Sequence, residues 1–264
     1  MDPVGYNKKA WDHQVRSGNR WTVPVDEKEI SLARTGVWSV VLTPARAVPM
    51  EWFPQTNGLF DGTRILALAS GGGQQVPILA AAGAAVTVFD NSPLQLRQDR
   101  LVAERENLVL TTVEGDMRDL SVFGNEAFDL VFHPCSNSFV PQIQPVWNEA
   151  FRVLKKGGAM LSGFVNPILY AVDPELDRKG IAQLKYPTPY SDLTSLTDHE
   201  RARFIDGNEP LCFGHSLEDQ LGGQMKAGFS LTGLYEDRWG SGAEDAGALD
   251  GFMPCFIATR AIKP

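Results

Sequence analysis

The segment RILALASGGGQQVPILAAAGAAVTVFDNS, residues 64–92, most constrains the fold of this 264-residue chain. An apolar run with the length of a buried strand leads into three glycines, Gly71, Gly72 and Gly73. An alanine-rich helical stretch follows, and a second apolar run ends at Asp90. Glycine weakens regular structure and is useful where the backbone turns sharply or approaches another group closely. The segment therefore predicts strand, loop, helix and strand, with a ligand at the loop.

The same alternation continues along the chain. A helix is predicted over 92–107, with Ser92 as its N-cap and Pro93 at its first position. The strands LVLTTVEGD and AFDLVFHPC follow, and then the helix QPVWNEAFRVL, the turn KKGG and the strand AMLSGFV. Strands alternating with helices at this spacing predict an α/β fold with a doubly wound, mostly parallel, Rossmann-like sheet.

Four segments are expected along the chain. Residues 1–60 form an N-terminal cover or lid, residues 61–165 the ligand-binding core, and residues 166–214 an insertion that adds to the lid. Residues 215–264 contain the helix SLEDQLGGQMKAGF, with Ser216 as its N-cap, and the strands LTGLYED and GFMPCFIATRAI. Two terminal strands without a helix between them predict an antiparallel hairpin, which brings the sheet to seven strands.

Composition and charge narrow the class of partner. The formal net charge of -8 disfavours nucleic acid, because that binding draws most of its affinity from Lys and Arg on phosphates. The polar N-terminus and the shortness of the longest apolar run, residues 78–89, predict a cytoplasmic protein without a membrane partner. The three cysteines and four histidines show no metal-ligand spacing, so no metal is expected. Whether the chain is a monomer or a homodimer stays open.

The strand ends carry the residues expected to bind a ligand. In an open parallel sheet, ligands bind at the carboxyl ends of the strands. Asp90 follows Gly71 by 19 residues, which is the offset of an acid that accepts hydrogen bonds from ribose hydroxyls. The dinucleotide fingerprint would require glycine at Val76, so the pattern indicates a nucleoside ligand and weakens the NAD interpretation.

Five motifs in series resemble the class I S-adenosylmethionine-dependent methyltransferases, especially the methyltransferase type 11 group. They span about residues 62–165 and are ILALASGGG, Asp90, EGDMRDL, FDLVFHPCSNSF and FRVLKKGGAMLSGF. The resemblance implies S-adenosyl-L-methionine as cofactor and in-line methyl transfer to an O, N or C atom of a small molecule. The family usually has an acid at Ala67 and glycine at Ala69, so Gln74, Gln75 or the 1–60 cover is expected to help hold the cofactor's ammonium group.

The resemblance also implies roles for individual residues. The loop after the first strand is expected to cradle the methionine part of the cofactor through Ala69, Ser70, Gly71 and Gly73. Asp90 is expected to bind the ribose, with Asn91 and Ser92 beside it. Asp116 is expected to face the adenine amino group, and Met117 to pack near the ring. His133 and Pro134 are expected to line the space near the transferable methyl.

The acceptor side is less constrained by the sequence. A general base is needed only if the acceptor must lose a proton, and the candidates are His133, His215 and Tyr190. The N-terminal tryptophans either pack the cover onto the sheet or line an apolar pocket; they are Trp11, Trp21, Trp38 and Trp52. Two other functions stay open, a non-catalytic nucleotide-binding protein of the same fold and an NAD(P)-dependent oxidoreductase.

Overall fold

Nine strands form two sheets in the computed structural model, which describes residues 1–264 except 241 and 244. The strands are β1 (Arg64–Leu68), β2 (Ala85–Asp90), β3 (Leu110–Glu114), β4 (Phe128–His133), β5 (Leu154–Val165), β6 (Tyr190–Ser191), β7 (Phe213–Gly214), β8 (Ser230–Asp237) and β9 (Phe256–Ile262). The larger sheet has the order β3-β2-β1-β4-β5-β9-β8, and β6 pairs with β7 separately. In the larger sheet β9 runs antiparallel to both of its neighbours, and the other pairings are parallel. The predicted seven-stranded fold with its antiparallel C-terminal strand is confirmed.

The helices connect and cover these strands. They are α1 (Pro3–Ser17), α2 (Glu27–Ala33), α3 (Gln75–Ala81), α4 (Pro93–Glu106), α5 (Gln144–Val153), α6 (Pro174–Arg178), α7 (Asp198–Asp206), α8 (Gly223–Ala227) and α9 (Ala248–Phe252). A π-helical turn, Glu218–Gly222, precedes α8. None of the described helices has the length and apolarity that a membrane crossing requires.

The central strand β1 is buried on both faces of the sheet. Ile65 and Ala67 pack into one core with residues of α2, α3 and α4. Leu66 and Leu68 pack into a second core with residues of α5. A strand covered by helices on both sides has no polar face, which explains the continuous apolar run of RILAL.

Local signals place α4 as predicted. Ser92 is its N-cap, and the Ser92 hydroxyl accepts a hydrogen bond from the backbone N–H of Gln95 at 3.2 Å. Pro93 occupies the first position, and Asn107 ends the helix in the left-handed conformation at φ 53°. Both ends of this helix therefore follow from residues next to them in sequence.

Three predicted elements differ from the structure. The turn at residues 155–158 is a bulge inside β5, because Leu154 pairs with Phe128 while Ala159 pairs with Leu130. The strand predicted from residue 251 begins only at Phe256, after α9 and Pro254, which has no N–H for a ladder. The helix predicted from Ser216 is divided into the π-helical turn and α8.

Candidate functional site

A cavity of about 270 Å³ lies at the carboxyl edge of the larger sheet. Its wall takes residues that follow successive strands: Ala69 after β1, Asp90 at the end of β2, Asp116 after β3, Pro134 after β4 and Val165 at the end of β5. Parallel strands bring these distant positions together because their carboxyl ends share one edge. Eight of the ten predicted binding residues line it, namely Ala69, Ser70, Gly71, Asp90, Asn91, Asp116, Met117 and Pro134.

The glycine loop is held in place by Asp99, a residue of α4 that the sequence reasoning missed. The backbone N–H groups of Gly72 and Gly73 donate to the two carboxylate oxygens of Asp99, each at 3.1 Å. Asp99 is fully buried, and burial raises its pKa well above the usual value. Gly73 is not among the residues of the cavity wall and lies against Gln98 of α4, and its role in cradling the ligand stays a prediction. An aspartate between Leu96 and Val102 on the buried face of α4 was the available signal.

Asp90 lies beside this loop with its carboxylate already partly engaged. One oxygen accepts from the Gly71 N–H at 3.0 Å, and the other accepts from the Ser92 N–H at 2.9 Å. Burial raises the pKa of Asp90 to about 6, although these backbone donors act in the opposite direction. A carboxylate oxygen accepts about two hydrogen bonds, so each oxygen retains one acceptor position.

Among the described residues, two polar atoms of the cavity wall are buried without a hydrogen-bond partner. They are the Ser70 hydroxyl and the Gln95 side-chain oxygen, and both residues are at most 6% exposed. Buried polar groups are nearly always hydrogen-bonded, so an unpartnered pair at one wall indicates a polar ligand. Gln95, on the first turns of α4, was not predicted to take part.

Asp116 forms an ion pair with Arg118, also missed although it lies in the motif EGDMRDL. The Arg118 Nη2 donates to Asp116 Oδ2 at 2.6 Å, and the Arg118 Nε lies 3.1 Å from Asp116 Oδ1. Met117, next in the chain, is 9% exposed and lines the cavity while packing into the core beside α5. This part of the wall offers a charged acceptor next to an apolar surface.

The three candidates for a general base are not among the described residues of the cavity wall, and their role stays a prediction. His133 is fully buried, its Nδ1–H donates to the Leu68 carbonyl at 2.8 Å, and its other ring nitrogen contacts the Asn137 amide. Burial lowers the pKa of His133. His215 contacts the Val140 carbonyl through Nε2 at 3.0 Å, and burial lowers the pKa of its ring too.

Tyr190, the third candidate, is engaged elsewhere. Its hydroxyl donates to Asp192 at 2.6 Å, and its ring stacks on Tyr170 at 5.3 Å between centroids. In the described structure His133, His215 and Tyr190 each bond to another group of the protein. Among the described residues, no group of three or more His, Cys, Asp or Glu is placed to hold a metal ion.

Seven aromatic residues contribute to the described wall, among apolar and small polar residues such as Val41, Thr43 and Ser138. They come from both the N-terminal cover and later segments and are Trp11, Trp21, Phe89, Phe139, Tyr170, Trp239 and Phe256. Trp38 instead stacks on Phe60 at 5.5 Å, and Trp52 packs against Tyr235 at 5.4 Å. The two interpretations of the N-terminal tryptophans therefore each apply to two of the four.

The N-terminal helix α1 lies over this edge and is joined to it by specific contacts. Asn7 is fully buried, its side-chain N–H donates to the carbonyls of Phe139 and Leu211, and its side-chain oxygen accepts from the Leu211 N–H at 2.8 Å. Asp12 accepts from the Ser92 hydroxyl at 2.7 Å. Trp11 packs edge-on against Phe139, with 4.9 Å between centroids.

The segment after α1 is joined to the glycine loop. The Val25 N–H donates to the Gly73 carbonyl at 2.8 Å. The Gln75 side-chain oxygen accepts from the Val41 N–H at 3.0 Å, and the Gln74 amide donates to the Arg20 carbonyl at 2.7 Å. Both glutamines therefore bind the 1–60 segment, although they also line the cavity.

Comparison of the sequence with known proteins gives two matches that agree. The family model described as a methyltransferase domain matches residues 66–162. An uncharacterized methyltransferase of Bacillus subtilis, YbaJ, is 50% identical over 260 residues, which cover 98% of each chain. Half identity over nearly the full length of both proteins is sufficient to establish the family.

Solved structures support the same fold. An S-adenosylmethionine-dependent methyltransferase from Mesorhizobium loti has a TM-score of 0.59 at 18% sequence identity. The aligned region covers 76% of this chain and 91% of the Mesorhizobium loti chain. Geranyl diphosphate C-methyltransferase from Streptomyces coelicolor has a TM-score of 0.55 at 15% sequence identity. The aligned region covers 81% of this chain and 76% of the Streptomyces coelicolor chain. The family assignment also decides against the non-catalytic and NAD(P)-dependent alternatives. The chain belongs to the class I S-adenosylmethionine-dependent methyltransferases and is an enzyme that uses this cofactor.

Proposed function

We propose that this enzyme methylates a small-molecule acceptor that binds in the same cavity as the cofactor. The observation that carries the proposal is the continuity of one cavity wall. The wall includes the glycine loop and Asp90 as well as the rings of Tyr170 and Trp239. A donor and an acceptor held in one enclosed space can react without a diffusional encounter.

The polar side of the wall fits the cofactor. The unpartnered Gln95 oxygen can accept a hydrogen bond from a hydroxyl or ammonium group of the cofactor, and the Ser70 hydroxyl can donate or accept one. Asp90 retains two acceptor positions for the ribose hydroxyls. We assign cofactor binding to the eight predicted residues on the wall and add Gln95: Ala69, Ser70, Gly71, Asp90, Asn91, Gln95, Asp116, Met117 and Pro134.

The protein contributes positioning and exclusion of water. When bound, the cofactor supplies a methyl group that its sulfonium already activates. Asp90 and the glycine loop would hold the cofactor in the cavity that the aromatic residues also line. Trp11 of α1 and residues 41–44 close the wall from above the sheet edge, which limits the access of water to the reacting atoms. The rate gain on this proposal comes mainly from holding the acceptor in line with the transferred methyl.

Titration calorimetry tests the cofactor side of the proposal. We expect S-adenosylhomocysteine to bind and NAD to produce no heat of binding. Asp90→Asn should weaken S-adenosylhomocysteine binding by about 1.5 to 3 kcal/mol, because charge-assisted hydrogen bonds to the ribose become neutral ones. Asp119→Asn is the matched control, since Asp119 is exposed and accepts from the Ser121 N–H instead of lining the cavity. Equal affinities of the two variants would contradict the assignment of Asp90.

A further inference from the structure

We infer that the acceptor is an uncharged, largely apolar molecule, methylated at a lone-pair atom that has no proton to lose. The inference rests on the function proposed above and concerns the aromatic side of the same cavity. It names the substrate class, which the family assignment leaves open.

The first argument is the distribution of charge. Among the described residues that line the cavity, the charged side chains are Asp90 and Asp116, and both lie on the cofactor side. Asp90 is engaged by backbone N–H groups, and Asp116 is paired with Arg118. The described wall contains no Lys or Arg that faces the acceptor. A carboxylate or phosphate acceptor would lose its hydration without gaining a counter-charge, which is strongly unfavourable.

The second argument is the lack of a base on the described acceptor side. Its titratable groups are the Tyr170 hydroxyl and the thiols of Cys135 and Cys212. Burial raises the pKa of each of the three above its usual value, so all three keep their protons at neutral pH. In their protonated forms, none of the three can remove a proton from an acceptor.

Asp237 behind this wall does not serve as the base either. The carboxylate lies outside the cavity wall and accepts from the Thr43 hydroxyl at 2.7 Å. It also accepts from the backbone N–H groups of Ala45, Arg46 and Arg238, at distances between 2.8 and 3.0 Å. Three of these donors meet Oδ2 and the Arg238 N–H meets Oδ1, so the carboxylate is held by the protein at a position outside the cavity wall.

A lone-pair acceptor balances the reaction without a base. The acceptor's lone pair forms the new bond to the methyl carbon, the carbon–sulfur bond breaks, and its electron pair stays on sulfur. The positive charge passes from sulfur to the methylated product, and no proton leaves. Aromatic faces stabilise a cation, and the acceptor side presents Trp239 against Phe256 at 4.7 Å and Trp11 against Phe139 at 4.9 Å.

A binding experiment tests the claim about charge. Enzyme saturated with S-adenosylhomocysteine is titrated with three bicyclic aromatic probes of similar shape: quinoline, 2-naphthol and 2-naphthoate. We expect the two uncharged probes to bind at least about ten-fold more tightly than 2-naphthoate, because only the latter loses charge solvation. The claim is overturned if 2-naphthoate binds as tightly as the uncharged probes or more tightly. It is also overturned if neither quinoline nor 2-naphthol binds. Failure of S-adenosylhomocysteine itself to bind would instead contradict the proposed function.

A transfer experiment tests the claim about the base. With methyl-labelled S-adenosylmethionine, quinoline should yield N-methylquinolinium at a rate that does not change between about pH 7 and about pH 9. The rate for 2-naphthol should be lower by about 100-fold or more, since a general base contributes about that factor when a hydroxyl must lose its proton. The claim is overturned if 2-naphthol is methylated as fast as quinoline or faster. It is also overturned if neither compound is methylated.

Discussion

Asp90 combines a structural and a proposed binding role in one carboxylate. It fixes the glycine loop through Gly71 and the start of α4 through Ser92, and it retains acceptor positions toward the cavity. Replacing it by alanine would therefore leave two backbone donors unpaired as well as removing a ligand contact. Asp90→Asn keeps one acceptor oxygen, so it separates the structural role from the binding role better than the alanine replacement does.

The titration of Asp90 predicts how cofactor binding depends on pH. Burial raises the pKa of Asp90 to about 6 in the free enzyme, and hydroxyl donors favour its ionised form. The affinity for S-adenosylhomocysteine should thus be constant above pH 6 and fall by up to about ten-fold per pH unit below it. Calorimetry at several pH values measures the slope. Asp90→Asn should abolish the slope, and an unchanged slope in that variant would assign it to another group.

Ala69 occupies a backbone conformation that suits glycine. Its φ of 47° is in the left-handed region, where a side chain costs about 1 to 2 kcal/mol. Ala69→Gly relieves this strain but adds about 0.4 to 1 kcal/mol of unfolded-state entropy, so we expect stability to be unchanged or higher by up to about 1.6 kcal/mol. Ala67→Gly is the control, because Ala67 is a buried strand residue whose replacement should destabilise. Urea denaturation that ranks Ala69→Gly as equally destabilising would contradict this reading.

At the scale of elements, the helix α1 is joined by side-chain hydrogen bonds to segments that lie near the cavity. Asn7 is bonded to Phe139 and Leu211, and Asp12 to Ser92, so one helix connects the N-terminus, the loop after β4 and the end of the 166–214 insertion. Each partner belongs to a segment near the cavity. The helix is therefore positioned to respond to a ligand in that cavity.

We predict that cofactor binding protects α1 from proteolysis. Limited digestion with thermolysin should be slower in the first fifty residues when S-adenosylhomocysteine is present, because the ligand adds contacts beneath the helix. Asn7→Ala should accelerate cleavage by about ten-fold or more, since it leaves buried backbone groups unpaired. Lys9→Gln changes an exposed position of the same helix, and this variant should be cleaved at the same rate as the unmodified protein. Equal cleavage rates with and without the ligand would show a static cover.

At the scale of the whole molecule, the sheet determines where chemistry can occur. Five of its strands are parallel and adjacent, from β3 to β5, and their carboxyl ends meet along one edge. Both faces are covered by apolar cores, which leaves the edge as the place for polar residues. The division of the chain into four segments stays a prediction.

How well the sequence predicted an element depended on how local its signals were. The strand β2 and the helix α4 have their predicted bounds within one residue, because Asp90, Ser92 and Pro93 act on their immediate neighbours. The bulge in β5 was missed, because it depends on pairing with β4. The buried neighbours of His133 could not be predicted for the same kind of reason: a position at a strand end does not reveal which groups its side chain meets.

The sequence by itself determined the order of strands and helices, the glycine loop and the strand-end position of Asp90. Hydrophobic periodicity, helix capping and turn preferences operate over a few residues, so they can be recognised in the sequence alone. Only the tertiary structure decided which polar groups are buried together: Asp99 beneath the glycine loop, Gln95 without a partner at the cavity, and Asn7 bonded to Leu211 across 204 positions of the chain. Burial and hydrogen-bond satisfaction depend on contacts between distant segments, and those contacts exist only once the chain has folded.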